Sequence, residues 1–184
     1  MVSGAAGATG SAVGQIAKLN GCRVVGVAGG PDKCRYLVQE LGFDAAIDYK
    51  HANLITALRE NCPNGIDVFF DNVGGEILDS ALAFLALHGR IVISGAISTY
   101  NDETPAPGPG NYIRLLTRRG RMEGFVVLDY LHRMGEALTA LSAWLREGKL
   151  KDRVDVVEGF ENTPAAFGRL FTGENRGKQL VRIT

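Results

Sequence analysis

A glycine-rich turn near the start of the chain carries the residues best suited to chemistry. Val2 and Ser3 are typical of a β-strand, and residues 4–10, Gly-Ala-Ala-Gly-Ala-Thr-Gly, lead into a segment whose apolar periodicity predicts a helix. A strand, a turn and a helix in this order point the unpaired N–H groups of the helix at the space above the strand end. The helix dipole favours an anion there.

The spacing of the glycines makes the prediction more specific. Ala5-x-Gly7-x-x-Gly10 matches a dinucleotide-binding fingerprint that has alanine at its first glycine position. Gly7 would let the backbone approach a pyrophosphate, and Gly10 would let the helix pack on the strand. Because glycines also mark ordinary helix entries, the motif needs support from the rest of the chain.

The end of the second predicted strand indicates which dinucleotide would bind. Residues 28–30 are Ala-Gly-Gly, where an NAD-binding protein usually places an acid for the ribose hydroxyls. Asp32 is the nearest acid, but it falls in the first turn of the next predicted helix, where it would stabilise the helix dipole. Lys33 and Arg35 follow it. A missing acid and nearby cations favour NADP over NAD, although a solvated helix start would have the same composition.

Small and polar residues follow the fourth and fifth predicted strands. Asn72, beside two glycines, would contact a ligand or serve as a turn residue. Ser94, Gly95 and Ala96 would leave room for a flat ring against the backbone. Tyr100, in the loop that follows, would donate a phenolic hydrogen bond or serve in packing.

The elements that must position these residues alternate between strands and helices over residues 1–148. Besides the first strand, the predicted strands are 23–27, 45–47, 66–70, 90–94 and 121–127, and a loop at 98–110 follows the fifth strand. Strands that alternate with helices at this spacing predict an α/β fold, a doubly wound six-stranded parallel Rossmann sheet.

The pattern changes after residue 148. Residues 149–184 read as a strand, a helix and a strand, and these two strands are expected to belong to a substrate domain that the chain lacks. The first strand is also short, since only three residues precede the glycine turn. We therefore expect the chain to be a fragment of a longer protein, with 149–184 as a return segment toward the missing domain.

Composition and charge exclude several classes of partner. Twenty basic residues balance twenty acidic ones, so neither nucleic acid nor a membrane surface is predicted as a partner. The three cysteines form no Cys-x-x-Cys pair, which favours reduced thiols in a cytoplasmic protein. The N-terminus lacks the charged and apolar regions of a signal peptide, and no apolar run is long enough to span a membrane.

Several stretches together resemble a known family. The chain is similar over nearly its whole length to the nucleotide-binding half of zinc-independent medium-chain dehydrogenase/reductases. The similar branch contains prostaglandin reductases, alkenal double-bond reductases and curcumin-reductase-like enzymes. The stretches that carry the resemblance are 4–10, 13–18, 21–26, 41–44, 71–75, 95–101, 124–127 and 173–178.

The resemblance implies a set of contacts with NADP and no metal site. The pyrophosphate would be lined by Gly7, Ala8, Thr9 and Gly10, the 2′-phosphate would be bound by Lys33, and Tyr49 would pack near the adenosine. Asn72 would contact the cofactor. The nicotinamide half would be bordered by Ser94, Gly95, Ala96, Ile97, Ser98, Thr99, Tyr100, Phe125, Val126, Val127 and Asn175.

The resemblance also implies a reaction. In this family NADPH gives a hydride to the β-carbon of an enone or alkenal, and related enzymes reduce quinones. The resulting enolate needs a hydrogen-bond donor, for which Tyr100 is the catalytic candidate, unless it holds the nicotinamide ribose instead. A homodimer through the edge strand at 121–127 is expected as well. The alternative is a non-catalytic NADP-binding module or an inactive fragment, since the residues that would shape a substrate pocket are mostly absent.

Other enzyme classes fit the sequence less well. Short-chain dehydrogenases need a Tyr-x-x-x-Lys pair, which is absent, and methyltransferases generally need an acid at the end of the second strand. Zinc alcohol dehydrogenases need cysteine and histidine ligands in spacings that this chain lacks, and His51, His88 and His132 are scattered.

Overall fold

The computed structural model describes residues 1–104 and 106–183, so Pro105 in the predicted 98–110 loop and Thr184 lie outside the described residues. The helices are α1 (Ala8–Leu19), α2 (Pro31–Gln39), α3 (Leu54–Asn61), α4 (Gly75–Ala83), α5 (Arg114–Arg118), α6 (Met134–Arg146) and α7 (Thr163–Thr172). The strands are β1 (Val25–Ala28), β2 (Ala45–Asp48), β3 (Ile66–Asp71), β4 (Leu85–Ile93), β5 (Arg121–Gly124), β6 (Val154–Glu158) and β7 (Lys178–Arg182). None of these helices is long and apolar enough to cross a membrane.

The start of the chain joins two groups of strands into one parallel sheet. β1 pairs with β2, and β4 pairs with both β3 and β5, all in the parallel sense. Val2 forms parallel bridges to Gly26 in β1 and to Phe70 in β3. We call residues 1–3 the Val2 segment. The order of the sheet is therefore β2, β1, the Val2 segment, β3, β4 and β5, which is the order of the doubly wound dinucleotide-binding sheet. The predicted fold class is confirmed.

Each face of this sheet has its own core. Successive strand residues point to opposite faces, so Val25 and Val27 of β1 pack in one cluster with residues of α3 and α4. Val24 and Ala28 pack in the other cluster with residues of α1 and α2. Near-continuous apolar runs such as 24–28 are needed because both faces of a parallel sheet are covered by helices.

Helix α1 approaches the sheet closely because it presents small residues to it. A Cβ atom on Gly14 would lie 1.9 Å from Cζ of Phe43, and one on Gly10 would lie 2.4 Å from the carbonyl oxygen of Gly4. Neither position has room for a side chain. The beginning of α1 is therefore held directly above the end of the Val2 segment.

Two strand boundaries differ from the predicted ones by three residues or more. β4 begins at Leu85 and not at residue 90, because Leu85 already pairs with Ile66 ahead of a register shift in β3. β5 does not extend to Val127 as predicted. It ends at Gly124, and Phe125 makes one further ladder bond to Ile93 before a 3₁₀ helix begins at Val127. Within the described residues, β5 lies at the edge of the sheet, as expected.

The predicted return segment at 149–184 contains a two-stranded sheet and the helix that connects its strands. β6 and β7 pair with each other in parallel through the crossover helix α7, although the sequence predicts two strands without partners in this chain. The guanidinium of Arg169 on α7 links them, since it donates hydrogen bonds to Asp155 of β6 and to Gln179 of β7. The segment packs against the glycine turn. Gly177 forms a parallel β-bridge with Gly7, and the N–H of Gly177 donates to the Ala6 oxygen at 2.9 Å.

Candidate functional site

A cleft of about 600 Å³ opens at the carboxyl ends of the strands. This is the edge of a doubly wound sheet where ligands bind. The glycine turn and the ends of β1 and β3 line one side, and α7 with the following loop lines the other. Ten of the residues predicted for a ligand lie in its wall: Gly7, Ala8, Thr9, Gly10, Lys33, Tyr49, Asn72, Ile97, Ser98 and Asn175.

The start of α1 is left open toward this cleft. Its N-cap is Gly7, no side chain caps the helix, and the first turn holds no acidic residue. The N–H of Gly7 donates to the Gly4 oxygen at 3.0 Å, which closes the turn beneath the helix. Gly7, Ala8, Thr9 and Gly10 all border the cleft, so the positive end of the helix dipole faces it. This arrangement suits an anion such as a pyrophosphate.

A buried polar network fixes the floor of the cleft. Asp71, at the end of β3, has no exposed surface, and its Oδ1 accepts a hydrogen bond from the Ser3 hydroxyl at 2.6 Å. The same carboxylate accepts from the N–H groups of Val73 and Gly74, each at 3.1 Å. The loop after β3 is thereby tied to the end of the Val2 segment. Neither Ser3 nor Asp71 is among the site residues predicted from the sequence.

Asn72 serves as a turn residue, which is one of the two roles that the sequence left open for it. Its side-chain amide donates to the Ser3 oxygen and its backbone N–H donates to the Ser3 hydroxyl, both at 2.8 Å. It also lines the cleft. Asn72 is therefore a turn residue whose remaining surface faces the ligand space.

Positive charge gathers at the end of the cleft beside α2. Lys33 is partly buried, and its ammonium donates to the Gly173 oxygen at 2.6 Å. Burial lowers the pKa of Lys33 below its ordinary value, and the charges of Lys50 and Arg176 act in the same direction. Arg35, in contrast, lies exposed on α2 and pairs with Asp32.

The end of β1 contains no acid, as the sequence indicates. The nearby Asp48, at the end of β2, accepts hydrogen bonds from the N–H of Gly30 at 2.8 Å and from that of Lys50 at 3.1 Å. Burial would raise the pKa of Asp48, but these bonds and that from His51 hold it below its ordinary value. The Asp48 carboxylate thus serves the turn after β1.

The remaining predicted residues lie outside the wall of this cleft. Tyr100 is 61% exposed, and its hydroxyl oxygen accepts a hydrogen bond from the Ala96 N–H at 3.1 Å. Phe125 packs against Phe70 and Tyr130, with ring centroids 6.3 and 5.2 Å away. The roles of these residues and of Ser94, Gly95, Ala96, Thr99, Val126 and Val127 at a nicotinamide stay predictions.

Part of the cleft was missed by sequence reasoning. Leu170 and Phe171 at the end of α7, Gly173 after it, and Lys178 at the start of β7 form the wall opposite the glycine turn. Glu76 at the start of α4 borders the cleft as well. The motif at 173–178 was the available signal, but only Asn175 was selected from it.

The described residues supply no metal centre. Across residues 1–104 and 106–183, no group of three or more histidine, cysteine, aspartate and glutamate side chains is placed to hold an ion. Zinc needs about four such ligands in a closed site and three in a catalytic one. The part of the chain that the structure describes therefore does not fit a zinc site.

This fold, with an open helix start above the strand ends, defines a nucleotide-binding domain of the dehydrogenase type. Residues 8–143 match the family model described as "zinc-binding dehydrogenase", and the chain belongs to this family. The family that the sequence motifs indicate is thus confirmed.

Named relatives and a solved structure agree with this assignment. YfmJ of Bacillus subtilis, whose name describes an NADP-dependent oxidoreductase, is 51% identical over all of this chain and 55% of its own length. The 2-alkenal reductase of Nicotiana tabacum is 45% identical over all of this chain and 53% of its length. The structure of CurA from Vibrio vulnificus in complex with NADPH superposes with a TM-score of 0.93 and 44% identity, over all of this chain and 56% of that one. The chain thus spans about half the length of these relatives.

The buried network yields a prediction about stability. Asp71→Asn replaces one carboxylate oxygen with an N–H donor that faces other donors, so we expect the free energy of unfolding to fall by about 2–3 kcal/mol. Asp67→Asn is the matched control, because Asp67 lies on the same strand but is exposed. Urea unfolding of both variants measures the effect. Equal stability of the two variants would contradict the role assigned to Asp71.

Proposed function

We propose that this chain binds NADPH in the cleft and forms the cofactor-binding half of a reductase. Two features of the cleft together carry the proposal. The start of α1 is uncapped, and the end of the cleft at Lys33 is positively charged and has no acid at the end of β1. The first feature suits the pyrophosphate and the second suits the 2′-phosphate. The names of YfmJ and of the CurA complex support the same cofactor.

The residues of the cleft divide the cofactor between them in this proposal. The N–H groups at Gly7–Gly10 hold the pyrophosphate, and Lys33 binds the 2′-phosphate. Tyr49 packs near the adenosine, beside Gly29: a Cβ atom added to Gly29 would lie 3.1 Å from the Tyr49 ring. Asn72, which lines the cleft, contacts the cofactor in this scheme, and the cleft residues Ile97, Ser98 and Asn175 are assigned to its nicotinamide half. NADPH, when bound, supplies a hydride, and these side chains orient it.

We propose an activated carbon–carbon double bond of an enone or alkenal, or a quinone, as the acceptor. The name of the tobacco relative, 2-alkenal reductase, supports this class. Tyr100, whose hydroxyl accepts a hydrogen bond from the Ala96 N–H, is the candidate donor to the developing oxyanion, or the group that holds the nicotinamide ribose. This scheme needs no zinc ligand.

A non-catalytic NADP-binding module is the second candidate function. The predicted nicotinamide-side residues Tyr100, Val126 and Val127 are more than half exposed, so the described residues supply one wall of a substrate site. An open site neither positions a substrate nor excludes water. Binding without turnover is the behaviour expected of such a module.

A cytoplasmic location stays a prediction. Cys22, Cys34 and Cys62 are all free thiols in the structure, which fits a reducing compartment. Burial raises the pKa of the Cys34 thiol to about 11, so this thiol is also unreactive at neutral pH.

Cofactor binding is tested by calorimetric titration with NADPH and with NADH. We expect NADPH to bind more tightly, and Lys33→Ala to weaken NADPH binding more than tenfold, about 1.4 kcal/mol or more, with little effect on NADH. Lys149→Ala is the control, because Lys149 is exposed and paired with Glu147 outside the cleft. Absence of binding to both cofactors would overturn the proposal.

The same titration has a second readout in its pH dependence. Only protonated Lys33 attracts the phosphate, and its pKa lies below the ordinary value. NADPH affinity should therefore fall as the pH rises through this lowered pKa, while NADH affinity stays level. A parallel fall for both cofactors would point away from Lys33.

Catalysis is tested by following the near-ultraviolet absorbance of NADPH with a simple alkenal. We expect oxidation of NADPH that depends on the alkenal, and deuterium from 4-deuterated NADPH at the β-carbon of the product. Tight NADPH binding without alkenal-dependent oxidation would favour the non-catalytic module.

A homodimer through β5 is proposed as the assembly. The strand lies at the edge of the sheet with exposed residues, and an unpaired edge can pair with its symmetry mate. Sedimentation velocity should show a dimer, and Met122→Pro in β5 should shift it toward monomer because proline removes a ladder donor. A wild-type monomer at high concentration would contradict the proposal.

A further inference from the structure

Three cations lie together beside the end of the cleft that Lys33 lines, where the return segment meets α2 and β2. Lys33 donates to the Gly173 oxygen at 2.6 Å, and Lys50 reaches the Thr172 oxygen at 3.4 Å. The third cation is Arg176, which follows Asn175 in the same loop. Lys33 and Lys50 are thus both anchored on the carbonyl groups that end α7.

The backbone at Arg176 is fixed on both sides. Its own N–H donates to Oδ2 of Asp155 at 3.1 Å, and the N–H of Gly177 donates to the Ala6 oxygen at 2.9 Å. Asn175 and Gly177, the neighbours of Arg176 in the chain, both line the cleft. Arg176 is therefore held at the rim by contacts with the glycine turn and with β6.

The Arg176 side chain is directed toward the start of α2. Its Nη2 donates to Oδ2 of Asp32 at 3.1 Å, and Asp32 is adjacent to Lys33. In the part of the chain that the structure describes, this is the one hydrogen bond that the guanidinium makes. An arginine has five N–H donors, so most of them remain for an oxygen-rich ligand.

The charges at this rim do not balance. Asp32 is the carboxylate that pairs with Arg176, and it also pairs with Arg35 from the exposed side of α2. Lys33 and Lys50 donate to neutral carbonyl groups, and within the described residues neither makes an ion pair with a carboxylate. A phosphate dianion that arrived here would relieve the repulsion among Lys33, Lys50 and Arg176.

We propose that Arg176 is a second cation for the 2′-phosphate of NADPH, acting with Lys33, and that Asp32 is a positioning residue that aims it. The inference rests on the proposed binding of NADPH. Asp32 thus has a role opposite to that of the acid in NAD-binding proteins, because its carboxylate holds an arginine and not the ribose hydroxyls. The guanidinium favours phosphate oxygens through paired N–H groups.

The test is a titration of the full chain with NADPH, NADH and 2′,5′-ADP, which carries the 2′-phosphate without a nicotinamide. Arg176→Gln should weaken NADPH and 2′,5′-ADP about tenfold and leave NADH within twofold. Arg176→Lys, which keeps the charge, should recover most of the loss. Arg35→Gln is the matched control, because it removes the other arginine on Asp32 at a site outside the cleft, and it should leave all three ligands within twofold.

The outcomes separate this inference from the proposed function. Loss of NADPH binding in Lys33→Ala together with unchanged binding in Arg176→Gln would overturn the inference and leave the NADPH site in place. An equal loss of NADPH and NADH in Arg176→Gln would show that the residue only ties the return segment to α2, and would also overturn it. No binding of NADPH to the wild-type chain would remove the proposed function itself.

Discussion

The structure depends on a short segment at the centre of its sheet. Val2 accepts and donates backbone hydrogen bonds with β1, while Met1 and Ser3 do so with β3. Within the described residues, this segment is what bridges the β1–β2 pair to the β3–β4–β5 group. The order of the sheet reverses at this segment, so the helix that follows starts above the crevice between its neighbours. The Val2 segment therefore sets the positions of the open start of α1 and of the buried hydrogen bond between Ser3 and Asp71.

Close packing is the second condition that the site requires. Without side chains at Gly10 and Gly14, α1 lies against the turn and against Phe43. The first N–H groups of the helix therefore stand directly above the strand end. Fixed backbone dipoles of this kind need no rearrangement when an anion arrives. The return segment then covers the turn, since Gly177 is bonded to it.

Much of this architecture could be predicted from the sequence, because it is encoded locally. A few neighbouring residues determine the local conformation at the glycine turn, in the buried apolar run at 24–28 and at Pro31, where α2 begins. The pairing of β6 with β7 could not be predicted, since short strands do not reveal their partners. The meeting of Asp32 with Arg176, 144 residues apart in the chain, is likewise a tertiary contact without a local signal. In the sequence, Lys33 and Arg35 are the two cations near the end of the second predicted strand. In the structure, α2 directs the Arg35 side chain to its exposed side, where it pairs with Asp32.

The bridge between Gly7 and Gly177 also bears on how the protein is made. The cleft is lined by residues 4–10 and by residues 170–178, so the ribosome makes its opposite wall well after the glycine turn. Contacts that are this distant in sequence form slowly, because a long loop must close before they are made. During translation the sheet can assemble while the nucleotide site is still incomplete. Nucleotide held in this cleft would thus report that both walls of the cleft have been synthesised.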